Sequence, residues 1–187
     1  GADALDRAGI GHRGSFGRMW RGRVCIPWEA PNGAVDNLQG RAMGGPREGE
    51  PKYIGPREHA ARWPWGSLDV AECAGDGSVV AIVEGAIDAL SWEALARAAG
   101  VDGFALGIPG VSGASRFSPG WTRLLRGRRV VVALDADDAG ERARDELVAL
   151  VATEAARVEV RAPVEGKDWN DTLRAMRGAA RAAKGAA

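Results

Sequence analysis

Three short acidic strings carry the groups in this 187-residue chain that could do chemistry. Glu84-Gly85 follows one apolar run, Asp135-Ala136-Asp137-Asp138 follows a second, and Lys167-Asp168-Trp169-Asn170-Asp171 follows a third. A lone acid behind a strand is common, but a Glu behind one strand and a DxD behind another is not. Carboxylates crowded within a few ångströms raise one another's pKa and cannot all ionise without cost. A divalent cation relieves that conflict. Hard oxygen donors of this kind suit Mg²⁺ or Mn²⁺, with positions left for water and phosphate oxygens. The strings contain no His or Cys, which speaks against zinc. For Asp138, Asn170 and Asp171 helix capping is an equally good account, and Asp88 suits a helix first turn, where the dipole favours a carboxylate.

Such acids need elements that bring them to one edge. The continuous apolar run Val79 to Val83 predicts a buried strand, and Ala86 to Ala99 a helix stopped by Gly100. Gly103 to Leu106, Val130 to Leu134 and Arg157 to Val160 predict further strands, with a short helix around Trp121 to Leu125 and longer ones at Glu141 to Thr153 and Asp171 to about Ala183. This alternation is the signature of a parallel sheet flanked by helices, whose functional groups lie beyond the carboxyl ends of the strands. The fold class is therefore α/β. The first third is richer in Gly, Pro, Arg and Trp, with brief strands at Val24 to Ile26 and Val35 to Leu38 joined through Pro31-Asn32-Gly33. It predicts a small mixed α+β subdomain over 1–69, followed by the catalytic domain over 70–187.

Composition sets the outer limits. Lys and Arg number 25, Asp and Glu 25, for a formal net charge of zero, which argues against a wholly basic nucleic-acid coat but leaves room for local patches. Cys25 and Cys73 lie far apart and outside any CxxC spacing, so a disulfide scaffold or zinc ribbon is not expected. No apolar run approaches the roughly 20 residues of a membrane span, and the expectation is a soluble cytoplasmic protein without a membrane partner. Trp92 and Trp121 sit at helical positions that favour core packing, whereas Trp28, Trp63 and Trp65 fall in the irregular first third. The glycine-rich loop 107–118 reads as a plain mobile connection rather than a phosphate cradle.

The strings Ile82-Val83-Glu84-Gly85-Ala86-Ile87-Asp88-Ala89-Leu90 and Val132-Ala133-Leu134-Asp135-Ala136-Asp137-Asp138-Ala139-Gly140 resemble the paired motifs of the Toprim domain. Asp137 to Ala143 is similar in particular to the second motif of DnaG-type and phage helicase-primase-like DNA primases, and Gly166 to Asp171 resembles their third. Upstream, Arg23-Val24-Cys25-Ile26-Pro27, Gly40-Arg41 and Pro51-Lys52-Tyr53-Ile54 resemble the segment that precedes Toprim in the primase catalytic core. The resemblance covers roughly residues 16 to 177. It implies a Toprim domain with an approximately four-stranded parallel sheet, synthesising short RNA primers on single-stranded DNA from nucleoside triphosphates. Glu84, Asp135 and Asp137 would be catalytic and, with Asp168, would hold Mg²⁺ or Mn²⁺, while Asp88 and Asn170 would support them. Asn170 stands where the family's third motif commonly has its second carboxylate. Arg41, Lys52 and Tyr53 would line a basic groove, with Arg23 extending it and Arg13, Arg18 and Arg21 either continuing the track or forming a solvated face.

The zinc module and the helicase or helicase-binding region usual in the family lie outside this chain, so a replicative helicase would be met through regions not present here. The implied setting is bacterial, phage or plasmid replication. Two further readings compete within the fold: a Toprim nuclease, and a Toprim module that only binds nucleic acid. A dehalogenase-type phosphatase also places a DxD behind a strand, but there the DxD belongs to the first strand of the domain, and here a Glu-bearing unit precedes it.

Overall fold

The computed structural model describes residues 20–46, 48–56, 61–72, 75, 77–108 and 117–185. Arg13, Arg18, Cys73 and most of the loop 107–118 lie outside them. Arg23–Glu29 (β1) and Val35–Ala42 (β2) pair antiparallel across the predicted turn, where the Gly33 and Ala30 amides donate to the Ala30 and Ala34 carbonyls. Both strands run further than the apolar residues alone indicated. A two-residue strand, Tyr53–Ile54 (β3), pairs with Gly40 and Arg41 on the other side of β2 and completes a three-stranded sheet. Helix Ser67–Glu72 (α1) follows.

The second sheet is parallel throughout. Its strands are Val79–Val83 (β4), Gly103–Gly107 (β5), Arg129–Val132 (β6) and Arg157–Val160 (β7), in the order β5-β4-β6-β7. The connecting helices are Ala86–Ala98 (α2), a 3-10 turn at Pro119–Leu125, Asp138–Val151 (α3) and, after β7, Trp169–Gly185 (α4). All five residues of β4 are buried. Alternation in the strands divides the core in two, since successive side chains leave opposite faces of a sheet. Val80, Ile82, Val130, Val132 and Leu134 join Leu125, Leu147 and Val151 from the 3-10 turn and α3. On the other face Val79, Ala81, Val83, Val131 and Ala133 pack with Ala89, Trp92, Ala96 and Trp169 from α2 and α4.

The first sheet packs on the start of α2 through a small cluster of Ile26, Trp28 and Ala86, and a two-hydrogen-bond bridge joins Trp65, just ahead of α1, to Gly107 on the outer edge of β5. That bridge and the Glu93 carboxylate, which accepts from the Ala105 amide at 3.0 Å, cover an edge strand that would otherwise invite pairing with another chain. Trp92, Trp121 and Trp28 are buried. Trp63 and Trp65 are half-buried. Among the described residues no helix is long and apolar enough to cross a membrane.

Candidate active site at the carboxyl edge of the parallel sheet

From β4 the chain moves outward to β5, then returns to form β6 on the opposite side of β4. Reversals of this kind open a crevice at the carboxyl ends of the two diverging strands. Glu84 is the first residue past β4 and Asp135 lies three past β6, so the acids of two distant strings come to adjacent strand ends. The Asp135 amide donates to Glu84 Oε1 at 3.3 Å.

The third string is fastened to the second by backbone. The Ala136 amide donates to the Lys167 carbonyl at 2.9 Å, and the buried Trp169 donates its indole Nε1 to the Ala133 carbonyl at 2.6 Å. Asp168 is thereby held against the end of β6. Two of the proposed ligands also cap helices: Asp137 Oδ1 accepts from the Gly140 amide at 2.9 Å, and Asp168 Oδ1 from the Asp171 amide at 2.7 Å. The capping expected of Asp138, Asn170 and Asp171 thus belongs to Asp137 and Asp168 instead. A cap satisfies one helix-end amide and contributes about 1 kcal/mol, so these two carboxylates are set by the fold itself.

Crowding leaves a clear electrostatic mark. Burial, and after it the negative charges of Glu84, Asp88, Asp168 and Asp137, push the Asp135 carboxyl up to about 7. Its Oδ1 is buried without a hydrogen-bond partner. Glu84 is raised by burial, against the opposing Asp135 amide, with Asp137 and Asp88 adding to the rise and Lys167 resisting it. Burial also raises Asp88, and Asp168 adds to it, while the Asn170 amide, Arg41 and Lys52 oppose. Asp88 Oδ1 is likewise buried and unpartnered. Sequence reasoning gave Lys167 no role, although its charge adds to the Asp135 amide in opposing the rise at Glu84.

Two cations also act on this cluster, since Arg41 and Lys52 both oppose the rise at Asp88. Arg41 on β2 faces Tyr53 on β3 in register. Its Nη1 donates to the Tyr53 hydroxyl at 2.8 Å, and its guanidinium lies 5.4 Å from the ring centre. The Lys52 ammonium lies 5.8 Å from the same ring. Burial raises the Tyr53 hydroxyl, Arg41 opposes, and Asp88 and Asp168 raise it further, which places this trio within electrostatic reach of the carboxylates. Arg23 has a different surrounding. Its Nη1 donates to the Pro51 and Lys52 carbonyls at 2.9 and 3.3 Å, its Nη2 lies 3.9 Å from Glu50, and its side chain is 5% exposed. It braces the segment that carries Lys52 and Tyr53.

The donor chemistry fits a hard divalent cation: the groups are oxygens, they repel one another, and a buried Asp135 oxygen has no proton donor. Among the described residues no group of three carboxylates closes into a ready-made cage. Mg²⁺ does not require one, because it keeps several waters and is bound through one or two carboxylates together with substrate phosphates.

Residues 81–173 match the Toprim-like family. No curated protein matches the chain in sequence. Among solved structures, a DNA primase domain from Pseudomonas aeruginosa is 22% identical with a TM-score of 0.60, the match covering 96% of this chain and 57% of that one. The DnaG primase catalytic domain bound to single-stranded DNA is 21% identical with a TM-score of 0.63, covering 88% of this chain and 51% of that one. The primase fragment of the bacteriophage T7 primase-helicase protein is 21% identical with a TM-score of 0.56, covering 84% and 58%. The chain spans little more than half the length of these structures.

Proposed function

We propose that this chain, whose residues 81–173 match the Toprim-like family and whose fold is similar to that of primase catalytic cores, synthesises RNA primers on a single-stranded DNA template by nucleotidyl transfer. The observation that carries this reading is the confrontation of two groups. The acids Glu84, Asp88, Asp137 and Asp168 all raise Asp135, and the rise at Asp88 is in turn opposed by Arg41 and Lys52, which stand by the Tyr53 ring. Residues 1–69 would contribute the basic groove and residues 70–187 the catalytic domain. The setting would be the cytoplasm of a replicating bacterium, phage host or plasmid host, with a replicative helicase as a further partner.

Glu84 and Asp135, aided by Asp137 and Asp168, would hold Mg²⁺ or Mn²⁺, which supplies charge compensation at the transferred phosphorus and acidifies the attacking hydroxyl. The chain's own residues do the rest. Arg41 and Lys52 bind phosphate oxygens of template or triphosphate. Tyr53, its hydroxyl fixed by Arg41, offers a ring face to a base. Asp88 holds the first turn of α2 against the Asn170 amide, and with it the spacing between acids and cations.

Incubation with labelled single-stranded DNA, ribonucleotides and Mn²⁺ or Mg²⁺ tests the reading. Extension products support it, and shortened DNA would identify a nuclease instead. Glu84→Gln and Asp135→Asn should abolish synthesis while leaving the circular dichroism spectrum folded. Synthesis that persists in both variants would sink the proposal.

Arg41→Ala and Lys52→Ala should each weaken single-stranded DNA binding. Each should also lower the steepness of log K against log salt by about 0.7, the single-strand value for one lost phosphate contact. Anisotropy titrations across a salt series measure both effects. An unchanged slope would remove these side chains from the nucleic-acid path.

A further inference from the structure

On the face of the parallel sheet that α2 and α4 only partly cover lies an open groove of about 840 Å³. Trp92, Val131 and Trp169 lie along it, and Val101, Val160 and Val164 stand at its margin, 41%, 47% and 81% exposed. Beside these aliphatic residues three guanidiniums converge on one carboxylate. Arg129, Arg157 and Arg161 approach Glu159 at 3.7, 3.2 and 3.2 Å, with side chains 53%, 67% and 65% exposed. Three positive charges on one negative leave a surplus of two beside an apolar surface. Apart from Trp169, which also braces the end of β6, none of these residues belongs to the site described above.

We propose that this groove is a docking surface for an acidic amphipathic helix of a partner protein. Its apolar stripe would cover Val101, Val160 and Val164, and its carboxylates would take the arginine donors that Glu159 leaves over. Helix-in-groove recognition needs this pairing of an apolar trough with flanking charge. A nucleic-acid strand fits less well, since single strands gain affinity by stacking bases on exposed aromatic faces. Here the aromatic rings are buried, Trp92 at 7% and Trp169 at 6% exposed, and the exposed surface is aliphatic. Charge complementarity therefore selects an acidic ligand, and the aliphatic margin selects a protein. Trp169 gives the surface a link to the acids, because the residue on the groove also bonds the Ala133 carbonyl and directly follows Asp168.

The probe is a fluorescein-labelled peptide of about four helical turns, with Leu on one face and Glu on the other, titrated into the full chain. Saturable binding is expected, accompanied by a change in tryptophan fluorescence. Arg161→Gln and Val164→Ser should each weaken it about fivefold while leaving single-stranded DNA affinity and thermal stability unchanged. Val164 is exposed enough that its replacement spares the fold. Equal binding of a scrambled peptide of the same composition would reduce the effect to charge alone and overturn the proposal. So would indifference to both substitutions, or loss of DNA affinity in Arg161→Gln, which would assign the arginines to nucleic acid. Sedimentation showing a dimer that Val164→Ser disperses would assign the face to a second copy of this chain and equally refute it.

Discussion

Asp135→Asn should make the metal-free protein more stable at pH 8 while abolishing primer synthesis. The folded state holds this carboxyl at about 7 against an ordinary 3.8. Below the ordinary value it is protonated in both states and imposes no penalty. As pH rises toward the folded value the unfolded chain has already released its proton and the folded one has not, so the folded state binds more protons and stability falls. Above about 7 the penalty is complete. The full shift corresponds to on the order of 4 kcal/mol, and 2–4 kcal/mol is the expected range after local relaxation. Asparagine keeps the shape, removes the charge and sacrifices no hydrogen bond at Oδ1, which has none. Urea denaturation from pH 4.5 to 8.5 should show the wild type losing more stability through this window than the variant, whose remaining slope comes from the raised Glu84 and Asp88. Parallel curves for the two proteins would mean that Asp135 ionises freely in the folded state.

Gly140→Ala is expected to act against helix propensity. In an exposed helix the change stabilises by up to about 1 kcal/mol. At position 140, in the first turn of α3, a Cβ would run into the Asp135 carbonyl oxygen and lie 3.2 Å from Glu84 Oε1. The obstacle is largely backbone and cannot rotate away, so α3 must lift from the strand end. A loss of 2–4 kcal/mol, the range for overpacking at a site that cannot relax, is expected, together with loss of the Asp137 cap. Activity should fall by at least about a hundredfold, the usual cost of displacing positioned groups by an ångström. Differential scanning calorimetry and the primer assay check the two parts separately. A variant more stable than wild type would show that the helix stands further from Asp135 than the structure has it.

The parallel sheet was legible because β4 is a pure apolar run and β7 alternates charged and aliphatic residues. Both Val79 to Val83 and Arg157 to Val160 match the observed strands to the residue; burial on both faces makes the first run continuous, while the second lies at the sheet's edge and stays half-exposed. Element ends were less legible. The start of α3 lies three residues before Glu141 because Asp137 caps it, and α4 begins at Trp169 because Asp168 does. In both cases several Asp and Asn stand in a row, and only the folded backbone chooses among them. β3 was missed because two residues carry no period; it exists through its pairing with Gly40 and Arg41. The four acids were visible as strand-end groups, yet the brace formed by Arg23 was not, since an arginine that holds carbonyls and one that holds phosphates look alike in sequence.

Sheet order also dictates when the site comes into being. β4, α2 and β5 form a contiguous unit from Val79 to Gly107, and its parallel pairing closes a short loop. Glu84 is therefore expected to be in place early. Asp135 reaches it only after β6 has docked against the opposite edge of β4, a pairing across some fifty residues that pays its loop-closure entropy late. Repulsion between Asp135 and Glu84 is expected to fall on that association rather than on the nucleus. Neutralising Asp135 should accordingly leave the folding limb of a chevron nearly unmoved and slow the unfolding limb, because groups that meet after the barrier govern escape from the native state rather than entry into it.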